Sequence, residues 1–216
     1  PNANLEAETS NSFEVGLRMF TENGSLTMTA FHNEYDNFIE SLASQGFNPV
    51  TGLLEFQAIN REEVDIRGIE FKGDWRFSAV DGLSAIASAA YSRGEDKQTG
   101  QPVNTVDPMR MVVGLAYQPT TVWNAQLILT AVDRQDRIDS TAAAVEFFET
   151  PGYATIDLLG EYNFSDKANL NVGIFNLTDR KYWEWGDVVG REFDDVGLNR
   201  FTRPGINASV SLRYEL

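Results

Sequence analysis

The last eleven residues, 206–216, constrain the fold more than any other segment. They read Ile-Asn-Ala-Ser-Val-Ser-Leu-Arg-Tyr-Glu-Leu. Ile206, Ala208, Val210, Leu212, Tyr214 and Leu216 alternate without exception with Asn207, Ser209, Ser211, Arg213 and Glu215. Successive side chains on a strand point to opposite faces. One face of this strand is therefore apolar to its last residue, while the other carries charge. A barrel wall with lipid on one side and water on the other requires that pattern.

The pattern recurs along the chain. Phe13, Val15, Leu17 and Met19 oppose Glu14 and Arg18, and the tight-turn sequence Glu22-Asn-Gly-Ser25 follows. A second strand is expected from about Leu26 to Ile39, with a change of phase between Met28 and Tyr35. A third is expected over 55–77. There Val64 and Ile66 have one parity and Ile69, Phe71, Trp75 and Phe77 the other, so a β-bulge is expected at Arg67-Gly68. Six further strands run through Leu83–Tyr91, Met111–Tyr117, Trp123–Ala131, Ile156–Phe164, Leu170–Ile174 and the C-terminal segment. No helical period interrupts them.

The connections alternate in length. They are short at 21–25, 79–82, 119–122 and 165–168, and long at 40–54, 93–107, 135–151 and 184–203. Outer-membrane barrels have this asymmetry, with short periplasmic turns and longer extracellular loops. Phe20, Trp75, Phe77, Tyr117, Trp123, Tyr162, Phe164 and Tyr214 gather at the short-turn ends. They fit an interfacial aromatic girdle, although the apolar face of a soluble meander would also carry them.

Composition removes several classes. No apolar run approaches the roughly 18 residues of a transmembrane helix. The chain has 216 residues, with 32 acidic against 17 basic and a net charge of −15, so it lacks the basic footprint of a nucleic-acid binder. It has no cysteine and one histidine, which argues against thiolate or histidine metal sites. No nucleophile stands with a base, so no enzyme is expected. Nine strands is an odd count, whereas single-chain bacterial barrels have even numbers. An open sheet would leave two raw edges in the bilayer. The expectation is an all-β, antiparallel transmembrane barrel segment, with residues 1–216 forming the C-terminal portion of a larger barrel. Its final strand ends without a tail, and Pro1–Thr9 lies on the outer side.

Several motifs carry a family resemblance. Asn176-Leu-Thr-Asp-Arg-Lys-Tyr-Trp-Glu-Trp-Gly-Asp-Val188 resembles the penultimate strand and loop of TonB-dependent heme and hemoglobin receptors. Leu198-Asn-Arg-Phe-Thr-Arg-Pro-Gly-Ile-Asn207, with Val210-Ser-Leu-Arg-Tyr214, resembles the segment that closes those barrels. Asn2-Ala-Asn-Leu5 resembles the family's Asn-Pro-Asn-Leu box, with Ala3 in place of the proline, and Arg67-Gly-Ile-Glu-Phe71 resembles a Gly-Val-Glu element of TonB-dependent receptors. The resemblance implies a plugged barrel of about 22 strands in the bacterial outer membrane. It also implies a plug, a TonB partner, and heme or a hemoprotein as transported ligand, with the heme-ligating histidine upstream of Asn2. No covalently bound cofactor is implied. Leu216 departs from the usual terminal aromatic.

The candidate ligand-binding residues are Asn2, Asn4 and Leu5, by resemblance to the loop that engages heme or its carrier, and Tyr182, Trp183 and Trp185, as porphyrin or protein contacts. The plain alternatives are an Asn-rich turn for the first group and an outer aromatic girdle for the second. His32 reads as barrel wall, with heme ligation as the other possibility. Glu192, Asp194 and Asp195 read as a solvated acidic loop rather than a calcium site. Glu14, Arg18, Arg110, Asp157, Glu161 and Arg213 are expected to face the lumen, paired with one another or with a plug. A ferric-siderophore receptor of the same architecture, and a soluble all-β binding domain, are the competing readings.

Overall fold

A computed structural model describes residues 2–141 and 145–215, and of Leu42 the backbone alone. Nine strands form one antiparallel sheet in sequence order: β1 (Thr9–Phe20), β2 (Gly24–Phe47), β3 (Leu54–Arg76), β4 (Leu83–Asp96), β5 (Arg110–Tyr117), β6 (Trp123–Val132), β7 (Tyr153–Ser165), β8 (Ala168–Phe175) and β9 (Asn207–Tyr214). The terminal Leu216, where an aromatic is usual in the resembled family, lies outside the described residues.

The register joins the alternation of single strands into two continuous surfaces. Leu17, Met28, Phe71, Ala89, Met111, Ala131 and Ala154 form one cross-strand row. Trp75, Ala85, Leu115, Leu127, Leu158, Ile174 and Ala208 form another on the same face. The opposite face carries Arg18, Thr27, Lys72, Ser88, Val112, Thr130 and Thr155 in a row. Exposed Leu17, Met28, Leu115, Leu127, Val210 and Leu212 on a polar-backed sheet are what a lipid-facing wall requires. All the girdle aromatics except Phe20 have the lipid-facing parity. Tyr117 meets Trp123, and Tyr162 meets Phe164, edge to face. Phe20 has the inner parity, with Arg18 over its ring.

Two local expectations are corrected. The β2–β3 register runs without a shift from Gly24↔Trp75 to Asp36↔Glu63, so Arg67-Gly68 is not a bulge. Neither does β2 change phase between Met28 and Tyr35. Phe31 points inward, and its ring covers Gly68 on the facing strand, where any Cβ would collide with it. Val64 and Ile66 also point inward, against Phe38, Val103, Tyr35 and Val106. Strand phase is constant as far as Asp36 and reverses only beyond Asn37, held at φ +55°, which turns Phe38 inward. The environment changes, because β2 (24 residues) and β3 (23 residues) outlast the bilayer. At about 3.3 Å per residue a strand of that length reaches about 80 Å, against a lipid band about 25 Å tall.

The observed connections at 21–23, 77–82, 118–122 and 166–167 are short. Those at 97–109, 133–152 and 176–206 are long. The loop expected over 40–54 is mostly strand, with a turn only at 48–53, so this outer excursion is a tall hairpin. Its register shifts between Glu40 and Ala43 and between Ser44 and Gly46. The last long connection holds two single-turn helices, α1 (Trp185–Val188) and a 3-10 turn at Leu198–Phe201, which alternation could not reveal.

Candidate functional site

The outer excursions fold together over the inner face of the wall. The hub is Arg61 on β3. Its guanidinium pairs with Glu40 on β2, with Asp96 on β4 at 2.9 Å, and with Asp139 of the 133–152 loop at 3.0 Å. Glu40 and Asp96 are buried. Burial works against the charged form of Asp139, yet hydrogen bonds from Thr141 and Arg61 hold its carboxyl below the ordinary carboxylate range.

Asn104 extends this hub to the remaining loops. Its amide donates to the Asp139 carbonyl at 2.9 Å and accepts from the Asp139 backbone N–H at 2.7 Å. The Asn104 carbonyl accepts the Trp185 indole N–H at 2.8 Å. Trp185 is 3% exposed. Trp185, Glu40, Ser41, Asn104 and Asp107 line a cavity of about 210 Å³. Burial, with Glu184 nearby, pushes the Asp107 carboxyl up. A second lock joins the β2–β3 hairpin to both large loops. Phe56 lies over Gly190, held at φ +75°, and its ring is 6.4 Å from that of Phe147.

The expected site residues fall into two groups. Tyr182 stacks on the inward-pointing Tyr153 with ring centroids 4.2 Å apart. Trp183 donates to the Leu198 carbonyl at 2.8 Å and meets Phe148 edge to face. Trp185 is buried between loops. The girdle position does not describe these three residues, because their loop turns inward over the wall. An open porphyrin platform does not describe Trp185 either.

Asn2, Asn4 and Leu5 lie beside the β2–β3 hairpin, on the expected outer side. The Asn2 amide donates to the Ala58 carbonyl at 3.0 Å and its oxygen accepts from the Asn4 N–H at 3.0 Å. Glu6 and Asn60 exchange hydrogen bonds between backbone and side chain. Leu5 is exposed. Of the second group, Trp185 shares a cavity with Glu40 and Ser41 of that hairpin, while Tyr182 and Trp183 pack on Tyr153 and Phe148.

His32 is on the lipid-facing parity, Nε2 3.5 Å from Asp65, so it is part of the wall and points away from the lumen. His32, Glu34 and Asp65 converge, but Lys97 Nζ already lies 3.0 Å from Asp65 and 3.3 Å from Glu34. Asp195 is used within its own loop, bound to the Gly197 N–H and paired with Arg191. Of the six inner-face charges, all have the expected parity, but they do not pair with one another. Arg110 reaches Glu184 at 3.3 Å and Glu161 accepts from Asn124 at 2.7 Å. The Arg61 hub escaped sequence reasoning because its four members are spread from position 40 to position 139 with no motif spacing.

The model of the family described as TonB dependent receptor-like, beta-barrel, matches residues 1–177. The chain belongs to that family. It is a β-barrel segment of the bacterial outer membrane, as the lipid-facing rows require. Hemoglobin-haptoglobin-binding protein A of Haemophilus influenzae is 27% identical over 249 residues, covering 100% of this chain and 23% of that protein. Hemoglobin-haptoglobin utilization protein B of Neisseria meningitidis serogroup C is 27% identical over 244 residues, covering 94% of this chain and 30% of that protein. The chain thus spans less than a third of these relatives. Among solved structures, the ferric enterobactin receptor of Pseudomonas aeruginosa superposes with a TM-score of 0.73 at 25% identity, covering 100% of this chain and 32% of that one. The copper transporter OprC superposes with a TM-score of 0.80 at 19% identity, covering 98% of this chain and 32% of that one, which speaks for the fold alone.

Proposed function

We propose that this chain is the C-terminal part of the barrel of a TonB-dependent receptor that takes up heme or a heme-bearing protein. The observation that carries the reading is the 27% identity to hemoglobin-haptoglobin proteins of two genera, which extends over nearly the whole chain, outer loops included. The chain supplies wall and four outer excursions. The rest of the wall pairs with the free edges of β1 and β9, since unpaired strand edges are prohibitive in lipid. A plug fills the polar inner face, and TonB acts on the complex through that plug. The chain's own role is binding and enclosure, with no catalytic step.

In this reading Asn2, Asn4, Leu5, Tyr182 and Trp183 contact the ligand or its carrier. Trp185 holds the loops in position through Asn104. A ferric siderophore is the second reading, favoured by the likeness to the ferric enterobactin receptor. The test is a heme titration of the full-length polypeptide in detergent, followed by visible absorption, with a ferric siderophore in parallel. A saturable Soret change at about one heme per chain is expected. No heme response with siderophore binding intact would overturn the substrate.

A further inference from the structure

The loop assembly holds more negative charge than it neutralises. Arg61 is shared by three carboxylates, those of Glu40, Asp96 and Asp139. Against the opposing effect of burial, hydrogen bonds hold the Asp96 and Asp139 carboxyls below the ordinary range, so both are ionised at neutral pH. Glu40 is 1% exposed. Its Oε2 accepts the Arg61 Nε–H, and among the described residues its Oε1 accepts no hydrogen bond. Among the described residues, no second cation lies within ion-pair distance of any of the three. A buried carboxylate oxygen without a partner is costly, so the arrangement lacks one cation.

The cavity of about 210 Å³ beside the hub is the place for it. Glu40 and Asp107 line it from two excursions, and Trp185 and Val189 add apolar surface from a third. Asp107 registers the same excess of negative charge. Burial and the nearby Glu184 push its carboxyl up, by more than Arg110 offsets.

Size and lining decide which cation fits. Pockets for whole small molecules run to about 300–1,000 Å³, so this one takes a side chain and not a porphyrin. A calcium ion needs about six to eight oxygens. Here both oxygens of Asn104 are spent, the carbonyl on the Trp185 indole and the side-chain oxygen on the Asp139 N–H. An indole beside two carboxylates suits an ammonium or guanidinium on an aliphatic stem.

We propose that this cavity receives one lysine or arginine side chain of the protein that docks on the outer loops. The cationic head pairs with Glu40 and Asp107, and the stem lies against Trp185 and Val189. The proposal rests on the reading of a heme-bearing protein as ligand and adds a basic side chain as the feature recognised.

The test uses the full-length receptor in mild detergent. The probes are n-butylguanidinium and n-butylammonium, with neutral n-butylurea as control, and hydrogen exchange of the 97–109 and 176–206 connections is the readout. Both cations should slow exchange saturably, and butylurea should not. Asp107→Asn should raise the half-saturating concentration about tenfold. Ser41→Lys, which tethers an ammonium at the cavity, should slow exchange without any probe and abolish the response to one. Heat-modifiable gel migration checks that each barrel is folded. No response, equal responses to butylguanidinium and butylurea, or an unchanged response in both variants would overturn the cavity as a cation site. In a second arm, hemoglobin binding to the immobilised receptor should weaken about tenfold in Asp107→Asn and in saturating butylguanidinium. Wild-type binding that neither change weakens would overturn the docking protein as the source of the side chain. Hemoglobin that fails to bind the wild type would overturn the hemoprotein reading and that source with it, while the small probes still decide the cavity.

Discussion

The lower and upper storeys of β2–β4 share strands and register, yet they are held by different forces. In the lower storey one face meets lipid, and each residue's parity sets its environment. Leu26, Met28, Phe71 and Ala87 face out while Thr27, Lys72 and Ser88 face in. In the upper storey both faces lie beyond the bilayer. There the inner side is covered by loops and holds Val64, Phe38 and Val103 as a small core, while the outer side carries His32, Arg67 and Arg93. Along β3 the apolar face is thus reversed halfway up, from Ile69 to Ile66 and Val64, without a bulge. A change of hydrophobic phase along a strand therefore records a change of surroundings as readily as a change of register.

The sharpest way to break the comparison is at Arg61. Arg61→Ala would leave Glu40, Asp96 and Asp139 buried around an empty place, at a cost of about 3–5 kcal/mol. The damage should stay in the upper storey. Limited proteolysis of the outer loops is expected to accelerate while heat-modifiable migration of the barrel persists. If the loops stay protected, the hub is not what ties them together. At Leu127, in the middle of β6 on the lipid face, Leu127→Arg should cost about 2–4 kcal/mol. Gln126→Arg, one residue away and facing in, should cost far less. Equal penalties in urea unfolding from liposomes would reject the assignment of the two faces.

These two sites also mark what could be read from residues alone. Leu127 was legible because Trp123, Ala125, Leu127, Leu129 and Ala131 repeat at period two, and lipid imposes that period on every spanning strand. Short and long connections were legible for the same reason, since turn residues interrupt the period. Above the bilayer that constraint disappears. The strands there continue through polar residues such as Glu40, Arg61 and Asp96, so 40–54 resembled a loop. The burial of Trp185 depends on Asn104, 81 positions away in sequence, a pairing that no local pattern encodes.

A smaller effect is expected at the join between storeys. Phe31 covers Gly68 at the last level before the charged rows, so Phe31→Ala would expose the glycine's backbone and remove a cross-strand contact. The loss should be about 1 kcal/mol in urea unfolding. Hydrogen exchange should quicken around Gly68 and leave Leu115–Leu127 unchanged. Exchange that quickens equally in both places would mean that the storeys unfold as one unit, and the comparison would lose its energetic content.

Acid supplies the most delicate separation. The Asp139 carboxyl is held below its ordinary value, so in the unfolded chain it binds a proton more readily than in the folded one. Its contribution to stability is therefore complete above the unfolded value of about 4 and fades as pH falls through the depressed folded value. Asp107 acts in the opposite sense, because burial raises its pKa and protonation relieves that cost. The two are separated by Asp139→Asn, which removes the first titration and leaves the second. Wild-type loops should lose protection from an acid-active protease as pH drops below about 4. The variant should be less protected at neutral pH and should lose less in acid than wild type, the remaining loss coming from Asp96, whose carboxyl, despite burial, Arg61 also holds below its ordinary value. An acid response identical in both proteins would place the pH sensitivity of the upper storey on groups other than Asp139.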